Sequence, residues 1–279
     1  MTSPEGRLEI LRAETEGLAD FLGGLPKEAW DLPSACDGWS IADVVAHLTL
    51  TRGFSPSRIM RAIQDDASPD DQSPHLRIDD VDPATDAEEA IALSNELGGN
   101  LLKEFIKASR GIVDALAKIG PQEWDKTVFR PSRPEPARNV VDIFICEFAV
   151  HGWDIRSRFD SQSGLSPESV AVMVERIPKR GTWWSFRTEA GFAPSPIRYR
   201  FRATKPTRYQ VDLVVTEKER YMEVTSSDDA HVTFQCDGDT FVFLMYGRIG
   251  PEAAIASGRM SYTGDQRLMS AFVQRFTGG

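Results

Sequence analysis

The chain has 279 residues, of which 41% are hydrophobic and 27% charged, a composition typical of a globular protein and not of a disordered or collagen-like one. No apolar run approaches the ~20 residues of a membrane-spanning helix, and residues 1–7 lack the order of a secretory signal. We therefore expect a cytoplasmic protein without a membrane partner. The net charge of −10 provides no basic stripe for a phosphate backbone, which excludes nucleic acid as an expected partner.

Cysteine usage restricts the metal chemistry. The three cysteines, Cys36, Cys146 and Cys236, are far apart, so neither a disulfide framework nor a thiolate zinc cluster is expected. Any metal must be held by nitrogen and oxygen. None of the three lies beside an evident base in the sequence, so we expect a reactive thiol to come from outside the chain.

Negative charge is concentrated in one segment. From Asp65 to Glu89 there are ten acidic residues and one base, Arg77. Three prolines interrupt the segment, which favours a solvated loop, and a mobile lid is the alternative. The sequence leaves its role open.

Apolar spacing predicts four helices in the first half of the chain. The first covers about residues 5–22 and ends at Gly23 and Gly24. Ser40, with Asp43 three residues later, is typical of a helix start, and the second helix runs from there toward Arg52. The third covers about 86–120 and the fourth follows a proline cluster and extends to about Phe159. Four helices predict a bundle, and the long link over 53–85 implies a crossover or a loop over one end.

The second half predicts a small α+β domain. Ser166 and Pro167 indicate a helix that continues to Ile177, followed by a connector over residues 179–196. Alternating apolar residues then predict antiparallel strands, and apolar helices follow Gly238 and Gly264. The alternating runs that predict the four strands cover residues 199–203, 211–215, 221–224 and 232–236.

Glu147 and His151 are the first candidates for chemistry. Both lie within the apolar sector of the fourth helix, where an ionised carboxylate costs several kcal/mol unless it is paired, protonated or bound to a cation. Their i, i+4 spacing places them on one face, so they can share an ion. His47 in the second helix offers a third ligand, and two imidazoles with one carboxylate are typical of a catalytic zinc site. A core histidine bonded to a backbone carbonyl and a Glu147–His151 ion pair remain alternatives.

Other side chains are weaker candidates. Arg248, which follows the predicted helix end at Gly247, and Arg259 could each pair with a substrate carboxylate, although an exposed arginine without a specific role is favoured. Trp39 and Trp153 flank the metal motifs, where plain packing is favoured. Asp154 could orient a ligand histidine, although a helix-surface aspartate is favoured. His75, in the acidic segment, and His231, at a strand start, are not interpreted as ligands.

Two stretches carry a family resemblance. Residues 30–48 (WDLPSACDGWSIADVVAHL) and 147–154 (EFAVHGWD) resemble the metal-binding domain of the mycothiol-dependent maleylpyruvate isomerase family, within the DinB-like superfamily. The residues after Gly238 resemble the sterol carrier protein-like fold. The resemblance implies a DinB-like four-helix bundle over 1–163, a helical connector over 164–196 and an α+β domain over 197–279. It places the family's metal ligands on His47, Glu147 and His151.

The resemblance also implies an activity. A divalent metal, Zn²⁺ by expectation with Ni²⁺ or Fe²⁺ as alternatives, would activate mycothiol or another small thiol. The thiol would serve cis–trans isomerisation of a maleylpyruvate-like substrate or transfer to a small electrophile, with Arg248 as a further catalytic candidate. A thiol-independent metal hydrolase and a non-enzymatic carrier of apolar ligands are the alternatives. The sequence does not fix the oligomeric state.

Overall fold

The computed structural model of the chain describes residues 2–50, 54–68, 83–129, 134–180, 187, 196–217, 219–224 and 229–276. The chain divides into two compact units, Met1–Gly164 and Leu165–Gly279. Within the described residues, no helix is long and apolar enough to cross a membrane. The boundaries 1–163, 164–196 and 197–279 stay a prediction.

Four helices of the first unit form the predicted bundle. The helices of this unit are α1 (Pro4–Gly23), α2 (Ile41–Thr49), α3 (Pro56–Ile63), α4 (Pro83–Leu97), α5 (Leu101–Leu116) and α6 (Ala137–Arg156). Helix α1 packs against α5 and α6, and α2 packs against the same two helices. The remaining helices extend this core, α3 against α5 and α4 against α2. A short antiparallel pair, β1 (Thr127–Val128) and β2 (Glu135–Pro136), precedes α6.

Helix α6 is the central element of the bundle because it is buried on nearly every side. Phe144 and Phe148 form its aromatic contacts, with ring centroids 5.8 Å from Phe54 and 5.9 Å from Phe105 respectively. Burial of these side chains fixes the rotation of the helix about its axis. Polar residues on the same helix are therefore held in the interior.

Two sequence predictions for this unit were wrong in detail. The third helix, predicted as one segment over 86–120, is divided into α4 and α5 by a single turn at Gly98–Asn100, where Gly98 has a positive φ of 47°. The predicted link over 53–85 contains α3, which Ser55 caps and Pro56 begins. Part of the acidic segment is outside the described residues, and its last residues belong to α4 rather than to a loop.

The second unit is a five-stranded sheet with helices. The strands are β3 (Ile197–Ala203), β4 (Tyr209–Val215), β5 (Arg220–Glu223), β6 (Val232–Cys236) and β7 (Met260–Gly264). Their order in the sheet is β5-β4-β3-β6-β7, antiparallel at each pairing except β3 with β6, which run parallel. The helices are α7 (Pro167–Arg180), α8 (Gly238–Met245), α9 (Pro251–Ala256) and α10 (Gln266–Arg275). The four predicted strands and the α+β class are confirmed, whereas β7 and α9 were missed. The prediction that all these strands are antiparallel was wrong for one pair, because β6 returns beside β3 in the same direction after β4 and β5.

Aromatic rings form the core of the second unit. Phe272 on α10 lies 4.7 Å from Phe234 and 5.9 Å from Phe201, measured between ring centroids, and all three are buried. The inward residues of β3 alternate with outward ones, as the period of two requires. One face of the sheet therefore packs against helices.

Candidate metal centre

Local sequence holds the first candidate ligand in place. Ser40 and Asp43 form a reciprocal capping box at the start of α2, in which each side chain accepts a hydrogen bond from the backbone N–H of the other residue. The second oxygen of Asp43 accepts a hydrogen bond from Ser94 on α4 at 2.6 Å. These bonds fix the start of the helix two turns before His47, which is 4% exposed.

The three predicted ligand residues come together. His47 Nε2 lies 3.5 Å and His151 Nε2 3.6 Å from the same Glu147 oxygen, Oε2. One ligand atom from each residue lies within 4.8 Å of the other two. Ligands at 2.0–2.1 Å from a tetrahedral cation are separated by about 3.3–3.4 Å, and the two nitrogen-to-oxygen distances are close to that spacing.

Burial makes a cation the natural counterpart of this cluster. The Glu147 side chain is 9% exposed and the side chains of His47 and His151 are 5% and 12% exposed. A carboxylate in such a place is costly without compensation, and two imidazole nitrogens directed at it can share a divalent ion with it. The residues present therefore fit a divalent metal with a 2-His-1-carboxylate ligand set.

The sequence favoured a surface position for Asp154, but the residue is fully buried. Its Oδ2 lies 2.9 Å from Nδ1 of His151, and its backbone carbonyl accepts a hydrogen bond from Ala35 N–H. A carboxylate at Nδ1 selects the tautomer whose Nε2 has a free lone pair. Asp154 thus directs Nε2 of His151 toward Glu147. The i, i+3 spacing of Asp154 from His151 is the sequence signal that favours this orienting role, which the sequence left as the alternative.

Trp39 packs over both histidine rings. Its ring centroid is 5.0 Å from that of His47 and 6.3 Å from that of His151, and the second pair is stacked. The half-buried indole therefore forms one wall of the cluster. Trp153 instead donates its indole N–H to the Ser163 carbonyl at 2.9 Å.

The position of Cys36 corrects one sequence expectation. Its Sγ lies within 4.8 Å of ligand atoms of His151 and Asp154, so one cysteine of the chain does lie near a histidine. This second group is a poor metal site, because its nitrogen and oxygen are 2.9 Å apart, which is the length of a hydrogen bond and shorter than the spacing around a cation.

Three of the remaining candidates, Arg248, Arg259 and His231, belong to the second unit. Arg248 follows α8 in the second unit and donates from its guanidinium to the Tyr246 carbonyl at 2.8 Å. Arg259 donates to Thr240 Oγ1 at 3.1 Å. His231 accepts a hydrogen bond from the Arg198 backbone N–H, and His75 is outside the described residues.

Comparison with known proteins identifies the family. A family model described as "Mycothiol maleylpyruvate isomerase N-terminal domain" matches residues 11–156. The chain belongs to this family. A second model, the SCP-2 sterol transfer family, matches residues 197–277. The predicted family and the predicted sterol carrier protein-like resemblance of the second part are thereby confirmed.

Two solved structures have the same fold as this chain. A crystal structure of a histidine-to-alanine variant of mycothiol-dependent maleylpyruvate isomerase is 16% identical, with a TM-score of 0.60, and the match covers 94% of this chain and 96% of that one. The parent mycothiol-dependent maleylpyruvate isomerase is 17% identical, with a TM-score of 0.58 and coverage of 90% and 94%. No curated protein matches the chain in sequence.

Proposed function

We propose that this chain is a divalent-metal-dependent enzyme that uses a small thiol, mycothiol or a related one, to isomerise a maleylpyruvate-like substrate. The observation that supports this most is the convergence of two imidazole nitrogens on one buried carboxylate oxygen, at 3.5 Å and 3.6 Å. Family membership supports the thiol and the substrate class. Transfer of the thiol to an electrophile is the alternative outcome of the same site.

Each residue of the site has a defined task. His47, Glu147 and His151 would hold the ion, and Zn²⁺ suits this ligand set. When bound, such an ion lowers the pKa of a coordinated thiol or water. Glu147 supplies the negative charge that offsets the ion, and Asp154 keeps the His151 ring in the orientation that binds it. Trp39 covers the two imidazoles and limits access of water from its side.

Arg248 is proposed as a partner for a substrate carboxylate, because a guanidinium forms paired hydrogen bonds with such a group. We expect Arg248→Gln to raise KM for the anionic substrate more than it lowers kcat. Arg267→Gln, a change at an exposed arginine of α10, is the matched control and should leave both constants unchanged.

The first experiment measures metal content and thiol dependence together. Purified wild-type protein should carry close to one divalent ion per chain, and Glu147→Gln should carry far less. Isomerisation should require both the ion and added mycothiol. Turnover without a thiol would instead identify a metal hydrolase. A wild-type protein that binds no divalent ion would refute the proposal.

A further inference from the structure

Three arginines project from one face of β3. Arg198, Arg200 and Arg202 occupy alternate positions of the strand, and side chains two residues apart share a face of a sheet. They belong to the face opposite to the one that carries Phe201 in the aromatic core. How each charge is compensated depends on its cross-strand neighbours.

Two of these arginines are neutralised by carboxylates. Arg200 lies opposite Asp212 on β4 and donates to both of its oxygens, at 2.7 Å and 2.9 Å, with both residues buried. Arg198 forms an ion pair with Glu223 and a longer one, of 3.5 Å, with Asp212. Around these two arginines, positive and negative charges are therefore balanced.

The charge of Arg202 is not neutralised in this way. Its neighbours in register are Gln210 on β4 and Gln235 on β6, both uncharged amides. Nε of Arg202 donates to Gln210 Oε1 at 2.9 Å, which satisfies one donor but adds no negative charge. Arg208, which directly precedes β4, is exposed, and within the described residues its guanidinium forms no ion pair.

Arg202 and Arg208 both line one cavity of about 390 Å³. Its lining residues are Arg202, Ala203, Thr204, Arg208, Tyr209, Gln210 and Gln235, with no carboxylate among these seven described residues. Burial raises the pKa of Tyr209 to about 12, so its phenol stays neutral. Glu175 also contributes to that rise but is not part of the lining.

The cavity has a fixed backbone. Thr204 N–H donates to the Cys236 carbonyl at 3.0 Å, and Gly238 N–H donates to the Lys205 carbonyl at 2.7 Å. These bonds attach the β3–β4 turn to the junction between β6 and α8. The strand positions that carry the two guanidinium groups are thereby set before any ligand arrives.

We propose that this cavity binds a small organic acid through its carboxylate or an equivalent oxyanion. Arg202 and Arg208 supply the charge, and the amides of Gln210 and Gln235 supply hydrogen-bond donors. The Tyr209 ring belongs to the aromatic face of the sheet, 6.4 Å from the ring of Phe241, and the proposal does not use it. The proposal concerns the second unit alone and does not depend on the proposed metal chemistry.

The test uses the full chain, first dialysed against a chelator and then against chelator-free buffer, so that a metal-bound anion does not contribute. Benzoate, inorganic phosphate and neutral benzamide are titrated while the amide resonances of residues 202–205, 207–210 and 235 are followed by NMR. Wild-type protein should show saturable shifts with benzoate and weaker binding of benzamide. The Arg202→Gln/Arg208→Gln double variant should bind benzoate about tenfold more weakly. Arg267→Gln is the matched control and should bind as the wild type does.

Each outcome decides the proposal. Phosphate binding as tight as that of benzoate, and lost in the double variant, would support the oxyanion site and assign it to inorganic anions. Equal affinity for benzoate and benzamide would overturn it, as would unsaturable shifts or full retention of binding in the double variant. Because Arg202 and Arg208 are exposed, thermal unfolding of the double variant should match that of the wild type, which excludes misfolding as the cause of lost binding.

Discussion

Replacing Glu147 by glutamine separates the contribution of metal binding to stability from that of side-chain packing. The side chain is nearly buried and its Oε2 lies 3.5 Å and 3.6 Å from the two imidazole nitrogens, so the amide keeps the shape of the site but removes its negative charge. With Zn²⁺ at 100 times its dissociation constant, binding stabilises the wild-type fold by about 2.7 kcal/mol. For a unit of this size, that corresponds to a rise in Tm of about 5–11 °C. Glu147→Gln should show almost no rise.

The assay is thermal unfolding with and without Zn²⁺, followed by circular dichroism at helical wavelengths. Without metal, the stability of the glutamine variant should stay close to that of the wild type, because the amide keeps the shape of the buried side chain. Asp142→Asn on the same helix is the control. It loses an ion pair of 2.6 Å with Arg7, so its Tm should fall, yet the rise produced by Zn²⁺ should persist. Equal Zn²⁺ stabilisation of Glu147→Gln and wild type would refute the assignment of the ligands.

Three further changes test the site and the fold. Asp154→Asn should weaken metal affinity by about 10- to 100-fold in a metal titration, because the imidazole it orients loses its carboxylate partner, while exposed Asp160→Asn should not. Cys36→Ala should retain thiol-dependent turnover, and loss of turnover would assign the nucleophile to the protein itself. Gly264→Ala should destabilise the second unit by more than about 1 kcal/mol in chemical denaturation, because φ is 112° and a Cβ would lie 2.2 Å from a backbone oxygen. Gly250→Ala, where a Cβ meets open space, should be nearly neutral.

Local signals made much of the fold predictable. The Ser40–Asp43 capping box and the apolar positions of α6 set helix boundaries through contacts between near neighbours in sequence. Ser55 followed by Pro56 is the same kind of signal, and it marks the start of α3. This helix was not predicted, because the link that contains it was interpreted as a loop together with the acidic segment. Gly98 separates α4 from α5 through a backbone conformation that apolar spacing does not reveal.

The pairing of strands that are distant in the sequence could not be predicted from such local signals. The parallel contact of β3 with β6 joins strands with two others between them in the chain, and no local pattern specifies it. β7 has polar residues at most of its positions, so it lacks the alternation that identified the other strands. The ligand trio could be proposed from spacing and resemblance. The loop after Pro33 packs against α6, and this tertiary contact buries Asp154 and brings Cys36 near His151. Local sequence does not specify that contact.

The double use of Asp154 has a consequence for protein engineering. Its carboxylate orients an imidazole while its carbonyl accepts a hydrogen bond from Ala35, so the segment that carries Trp39 is attached to the helix that carries Glu147 and His151. If Glu147 and His151 were transferred to another helical bundle without residues 33–40, the coordinating atoms would be present. The hydrogen bond that attaches the loop to the helix would be lost. The smallest portable version of this centre is therefore a helix together with its loop.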